Sequence, residues 1–213
     1  MKTLELFSGT QSFTKGVRVL DSEAECITVD ILDKFKPTIV CDILELDYKQ
    51  WAVGEFDIIW CSPPCTEYSK AKTRGERDLE GADALVRKCF EILDYLKPPV
   101  WILENVGTGL LVRRMENIRP GLSRVFVDYC CYGKPYRKRT CFWSNKRFKL
   151  DLCPGVGKCN QMIEGRHKGS CGNGTSRYNG AGISSVWQKD SIPEELILSL
   201  LDQIWWPEYY STI

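Results

Sequence analysis

Histidine is almost absent from this chain: His167 is the only one in 213 residues. A Cys–His or Ser–His–Asp hydrolase needs an imidazole as its base. Only His167 could serve, and it stands among cysteines, where a metal role competes. No apolar run is long enough to span a bilayer, so no membrane partner is expected. The opening MKTLELFSG lacks an apolar segment followed by a cleavage site, so no secretory signal is expected either. The eleven cysteines are an odd number without disulfide-framework spacing. That pattern fits a reducing compartment, and an intracellular location (cytoplasm or nucleus) is expected. The net charge of +1 points to no polyanionic partner by itself.

What is present begins with Phe56-Asp57-Ile58-Ile59-Trp60-Cys61-Ser62-Pro63-Pro64-Cys65. A strand-type apolar run ends in two prolines, which fix φ and remove two backbone donors. Pro64 also pushes Pro63 toward an extended conformation. A rigid turn there holds Cys65 at the carboxyl rim of a sheet, where open α/β folds bind ligands. A thiol so placed is a candidate nucleophile. Val100-Trp101-Ile102-Leu103 is a second buried strand and runs into Glu104-Asn105-Val106. A thiolate adding to C6 of a cytosine ring, with a carboxyl protonating N3, makes C5 nucleophilic enough to take a methyl group from a sulfonium. A carboxyl raised by burial suits that task.

The first residues fit a cofactor site. Thr3 to Phe7 is a short strand, Ser8-Gly9-Thr10-Gln11-Ser12 a turn, and Phe13 to Leu20 a helix. Gly9 lets backbone approach a ligand closely. Strand Cys26–Val29 ends in Asp30, a position that takes ribose hydroxyls in dinucleotide folds. Strand Thr38–Cys41 ends in Asp42, which can accept from an adenine amine. Both acids could instead cap helices. No phosphate grip is needed if the ligand is S-adenosylmethionine.

The ordered set Phe7-Ser8-Gly9, Asp42-Ile43, Pro63-Pro64-Cys65, Glu104-Asn105-Val106 and Tyr132-Gly133-Lys134-Pro135-Tyr136-Arg137-Lys138-Arg139 resembles the DNA (cytosine-5) methyltransferase family, in its compact viral and phage form. The resemblance covers Met1 to about Asn145 and again Ile192 to Ile204. It implies a Rossmann-like α/β methyltransferase fold with a mostly parallel twisted sheet. It further implies that Cys65 is the nucleophile toward C6 and Glu104 the acid at N3. Phe7, Ser8, Gly9, Thr10, Asp30, Ile31, Asp42, Ile43 and Pro63 become the S-adenosylmethionine contacts. One of Arg137 and Arg139 contacts the target base, which must leave the duplex stack. The chain departs from the family pattern at Gln11, where a second glycine is usual, and at Tyr136, where a glutamine is usual. Which arginine matches stays open.

Charge distribution supports a duplex DNA partner. Residues 1–60 carry 6 Lys and Arg against 11 Asp and Glu, whereas residues 112–149 carry 11 against 2. A basic segment beside the catalytic motifs is the footprint of phosphate contacts. Asp83 to Leu96 has the apolar stripe of a buried helix, stopped by Pro98-Pro99. Arg74 to Asp83, charged and close behind Cys65, is read as a loop that closes over DNA or as an ordinary solvent loop. Three regions are expected: a catalytic unit over 1–145, a small target-recognition region over 146–190, and a helix over 191–213 returning to the catalytic unit. The middle region is glycine-rich and loses apolar periodicity, so a short, CpG-like site is expected. Its Cys153, Cys159, His167 and Cys171 are spaced C-x5-C-x7-H-x3-C. They suggest structural zinc, which would replace a missing core; the alternative is a DNA-contacting loop with free thiols. A monomer is expected. The competing functional readings are methylation of an RNA cytosine and a catalytically silent DNA-binding homologue.

Overall fold

The computed structural model describes residues 1–169 and 191–205. In chain order the main elements are β1 (Lys2–Leu6), α1 (Ser12–Leu20), β2 (Glu25–Asp30), β3 (Ile39–Val40), β4 (Ile58–Cys61), α2 (Leu79–Leu96) and β5 (Val100–Val106). They continue with α3 (Leu111–Ile118), β6 (Arg124–Asp128), β7 (Arg139–Ser144), β8 (Met162–Ile163), β9 (Arg166–His167) and α4 (Glu194–Trp205). Seven strands form one sheet in the order β3-β2-β1-β4-β5-β7-β6, and β8 pairs with β9 in a separate hairpin. The first five strands are parallel. β7 runs antiparallel to both β5 and β6. The chain winds outward from β1 through β2 and β3, then returns to the other side of β1 with β4. The switch point therefore lies between β1 and β4, and its crevice opens at their carboxyl ends.

Strand alternation explains how one sheet serves two cores. Ile59 and Cys61 face α2 and α3, whose Val86, Cys89, Ile92, Leu93, Leu111 and Met115 fill that side. Ile58 and Trp60 face the other side, with Phe13 and Val17 of α1 and Leu196, Ile197, Leu200 and Leu201 of α4. Trp60 stacks on Phe13 at 5.0 Å and meets Phe142 edge-on at 5.6 Å. A Cβ added at Gly16 would lie 2.4 Å from Ile197 Cγ2, so α1 and α4 approach as closely as glycine allows.

Helix α2 starts at Leu79, ahead of the expected Asp83. Asp78 supplies the cap, its carboxylate accepting from Gly81 N–H at 2.8 Å. At the other end Lys97 turns left-handed at φ 48°, and the two prolines stop the helix. The expected loop thus shrinks to Arg74–Asp78. Among the described residues no helix is long and apolar enough to cross a membrane.

Candidate active site

Cys65 follows β4 by four residues, and Glu104 lies within β5. Cys61, the last residue of β4, is in register with Leu103, so the loop that carries Cys65 leaves β4 at the edge where β5 carries Glu104 on to Val106. Side-chain and backbone bonds stitch them together. Asn105 Nδ2 donates to Pro63 O at 2.9 Å, while Asn105 Oδ1 accepts from Val106 N–H. Leu110 N–H donates to Tyr68 O at 2.9 Å. The carbonyl of Cys65 accepts from Tyr68 N–H and Ser69 N–H at 3.1 and 2.8 Å, which closes a turn immediately behind the thiol. Pro63 is buried and Cys65 half-buried, so the turn is anchored while the sulfur reaches the rim.

A second shelf braces this loop. Tyr68 is fully buried and donates its hydroxyl to Asp83 Oδ1 at 2.9 Å. Arg114 forks onto the same carboxylate. Burial pushes the Asp83 carboxyl up, but Arg114 and Tyr68 outweigh it and hold the group below its usual range. Glu67 pairs with Lys72 at 2.5 Å. Arg77 donates to the carbonyls of Glu67, Ser69 and Lys72. Residues 65–78 are therefore a tied loop.

The antiparallel strand β7 brings in the arginines. Gly107 N–H donates to Arg139 O at 2.8 Å, placing Arg139 beside the end of β5. Asp128, wholly buried at the end of β6, accepts from Arg139 Nε at 3.0 Å and Nη2 at 2.6 Å, and from Arg137 Nε at 3.2 Å. It also accepts from Cys153 N–H at 2.9 Å. Burial raises the Asp128 carboxyl, and its three partners more than reverse this. Asp128 holds Arg139 two-pronged and Arg139 is 29% exposed, whereas Asp128 takes Arg137 through its Nε and Arg137 is 46% exposed. Tyr136 is fully buried in the aromatic core. The next residue after Asp128, Tyr129, is buried with its hydroxyl 3.5 Å from Glu104 Oε1. Its phenol is pushed well above the usual value by burial and then by the charge of Glu104, with Cys65 adding to the same field. Tyr129 thus senses both candidate catalytic groups.

At the other side of the switch point, the β1–α1 turn is strained in a specific way. Phe7 has φ 58°, Gly9 φ 45° and Gln11 φ 56°. Gln11, where glycine is usual, adopts the left-handed geometry and ties its amide to the carbonyls of Phe35 and Lys36 at 2.9 and 3.1 Å. Gly9 N–H donates to Asp30 Oδ2, and Leu32 N–H to Asp30 Oδ1, both at 2.8 Å. Asp42 accepts from Leu44 N–H at 2.9 Å as a cap. Ser8 is buried and its hydroxyl has no hydrogen-bond partner among the described residues. Ile31 is 61% exposed next to Asp30, while Ile43 is buried. Thr10 hydrogen-bonds Ser12 at 2.9 Å. Beneath the turn, Glu5 accepts from Phe13 N–H and Thr14 N–H at 3.3 and 3.0 Å, and burial lifts its carboxyl to about 7.

Of the expected metal ligands, Cys153, Cys159 and His167 come together, and the fourth member of the cluster is Cys130. Cys171 lies outside the described residues. Cys130, Tyr129, Asp128 and Glu5 escaped sequence reasoning. Asp128 and Tyr129 do end an apolar run, Val125-Phe126-Val127, which is the one local signal they carry.

Comparison with known proteins agrees with this geometry. The family model for C-5 cytosine-specific DNA methylase matches residues 1–126, a span that includes Cys65 and Glu104 and stops before Arg139. A Frog virus 3 (isolate Goorha) protein named "Probable DNA (cytosine-5)-methyltransferase" is 37% identical over 177 residues, 76% of this chain and 79% of the relative. The Entamoeba histolytica methyltransferase EhMeth superposes with a TM-score of 0.61 at 15% identity, over 98% of each chain. The S. pombe Dnmt2 methyltransferase does so at 0.50 and 14% identity, over 76% of this chain and 59% of that one. These structures share the fold; the family model and the viral relative carry the assignment. On the family model, which spans more than half of the sequence, and on the viral relative, the chain belongs to the C-5 cytosine-specific DNA methylase family.

Proposed function

We propose that the protein methylates C5 of a cytosine flipped out of duplex DNA, with Cys65 as nucleophile, Glu104 as acid and Arg139 as the arginine beside the base. The observation that carries this reading is the Cys65 loop after β4 set beside Glu104 near the end of β5, in register through Cys61 beside Leu103 and tied by the bond from Asn105 to Pro63 O. Residues 1–145 form the catalytic unit, 146–190 read the target, and 191–213 return to the catalytic unit. The enzyme acts as a monomer inside the cell; the ten cysteines among the described residues form no disulfide with one another, which fits a reducing environment.

S-adenosylmethionine would lie over the Phe7–Thr10 turn and supply the methyl group. The buried Ser8 hydroxyl, unpartnered among the described residues, the Asp30 carboxylate at the end of β2 and the exposed Ile31 suit a ligand with a polar tail, a ribose and a flat purine. Asp42, Ile43 and Pro63 complete the rim. The Cys65 thiolate bonds to C6 while the Glu104 carboxyl gives its proton to N3, so negative charge never accumulates on the ring. Once C5 carries its methyl group, water removes the C5 proton. The Sγ–C6 bond then breaks and Glu104 recovers the N3 proton. Arg139, fixed by Asp128, holds the base edge; the fork costs little ordering when the base arrives.

A duplex carrying 5-fluorocytosine tests this directly, because fluorine cannot leave as a proton and the adduct persists. Mass spectrometry should find one DNA strand joined to the peptide containing Cys65, with S-adenosylmethionine required. Adduct formation on 5-fluorocytosine RNA alone would replace DNA by RNA as substrate. No adduct on either, despite tight duplex binding, would favour the silent-binder reading.

A further inference from the structure

Residues 151–169 have almost no core. Cys159 is the only buried residue among them, and β8–β9 is a hairpin of two residues per strand. Such a unit does not hold its shape by hydrophobic burial. Yet its backbone is ordered around a point. Cys159 N–H donates to Gly155 O at 3.0 Å, and Met162 N–H to Cys159 O at 3.1 Å. Glu164 and Gly165, with φ of 49° and 76°, turn the hairpin so that His167 returns toward Cys159. Gly169 N–H donates to Pro135 O at 2.7 Å, docking the hairpin on the arginine segment.

At that point, Sγ of Cys130, Cys153 and Cys159 and a ring nitrogen of His167 all lie within 4.8 Å of one another. His167 Nε2 is 3.5 Å from Cys153 Sγ and 3.7 Å from Cys159 Sγ. A zinc tetrahedron with bonds of about 2.3 Å to sulfur and about 2.0 Å to nitrogen has S–N edges of about 3.5 Å and S–S edges of about 3.8 Å. The two S–N separations already match that edge to within a few tenths of an ångström, and all four atoms lie within 4.8 Å. Three thiolates and one imidazole are also a donor set that zinc takes in closed structural sites.

We infer that Cys130, Cys153, Cys159 and His167 form a structural zinc site that fastens the recognition segment to the catalytic sheet. Cys130 comes from the turn after β6, in the sheet unit, and the other three ligands from the coreless segment, so the metal is the staple between them. The staple reaches the active edge by a short route. Cys153 would be fixed twice, through sulfur by the metal and through its N–H by Asp128. Asp128 in turn holds Arg139, and Tyr129, adjacent to Cys130, touches Glu104. Asp128 and Cys153 are therefore positioning residues for Arg139. This positioning role rests on the proposed methyl transfer; metal binding does not.

The test is elemental analysis of the full chain purified with zinc supplied, followed by cobalt(II) exchange. The expected result is about one zinc per chain and the visible d–d and thiolate charge-transfer bands of tetrahedral cobalt. Cys130→Ser and His167→Ala should each lower the stoichiometry and weaken or shift those bands, whereas Cys131→Ser and Cys171→Ser should leave both unchanged. Retained zinc in Cys130→Ser with loss in Cys171→Ser would overturn the ligand set. A chain without zinc, or with octahedral cobalt spectra, would overturn the site. His167→Ala, on the hairpin, keeps the test interpretable if Cys130→Ser does not fold. In zinc-depleted protein, S-adenosylmethionine affinity should stay within about twofold while methyl transfer falls about 10- to 100-fold, the range for lost metal support. Unchanged transfer without metal would overturn the positioning role while leaving methylation itself intact.

Discussion

Glu5 gives this fold a pH-dependent stability that can be isolated from every other titration. The carboxyl is 3% exposed, beneath the cofactor turn, and accepts from the first N–H groups of α1. Burial outweighs those donors and raises it from 4.5 to about 7. The folded state therefore binds this proton more tightly than the unfolded chain. Its contribution is complete below pH 4.5 and is lost as pH rises through 7. Linkage over that interval gives a loss of about 2.5 kcal/mol between pH 5 and pH 8. Glu5→Gln keeps an acceptor for the helix and cannot titrate. The difference in unfolding free energy, native minus Glu5→Gln, should fall by about 2.5 kcal/mol from pH 5 to pH 8 in urea titrations. All other groups are common to both proteins and cancel. A difference that stays flat, or rises, would show that the helix N–H groups hold Glu5 ionised, and the reasoning would fail.

Further outcomes follow from the same packing. Gly16→Ala drives a methyl into Ile197 and should cost about 1–3 kcal/mol through overpacking, against a gain of about 1 kcal/mol in helix propensity; a calorimetric Tm above that of the native protein would contradict the close α1–α4 contact. Asn105→Ala removes the donor to Pro63 O and should lower methyl-transfer kcat at least about 10-fold, since small misplacements of a reacting group are costly. S-adenosylmethionine affinity, read by calorimetric titration, should not change with it; an unaltered kcat would show that the Cys65 turn does not depend on this bond.

Much of the sheet that carries Cys65 and Glu104 was legible because it is local. Pro63-Pro64 forces the end of β4 and βα alternation orders the sheet, but the strand expected to end before Glu104 runs on to Val106, because Glu104, Asn105 and Val106 pair with β7. The start of α2 was misplaced by four residues because its first turn, Leu79 to Ala82, is held by the Asp78 cap rather than by apolar periodicity. The reversal of β7 left no local trace: its alternation is that of any strand, and only pairing with β5 sets its direction. Gln11 could not be judged from residue type, since its left-handed φ is sustained by carbonyls of Phe35 and Lys36 that the fold brings near. The two arginines are alike in sequence; in the fold Asp128 takes Arg139 through Nε and Nη2 and Arg137 through Nε, a difference that depends on a distant carboxylate. Cys130 was missed for the same reason. It lies outside the glycine-rich segment that holds Cys153 and Cys159, and only the turn after β6 brings it to them.

The central claim is that this chain methylates cytosine C5 in DNA through Cys65. Its most direct test is bisulfite sequencing of unmethylated plasmid incubated with the protein and S-adenosylmethionine, with Cys65→Ala in parallel. The account predicts cytosines protected in one short sequence context by the native protein and none protected by the variant, although the variant still binds the cofactor. Protection that persists in Cys65→Ala, or none at all with folded, cofactor-binding native protein, would contradict it.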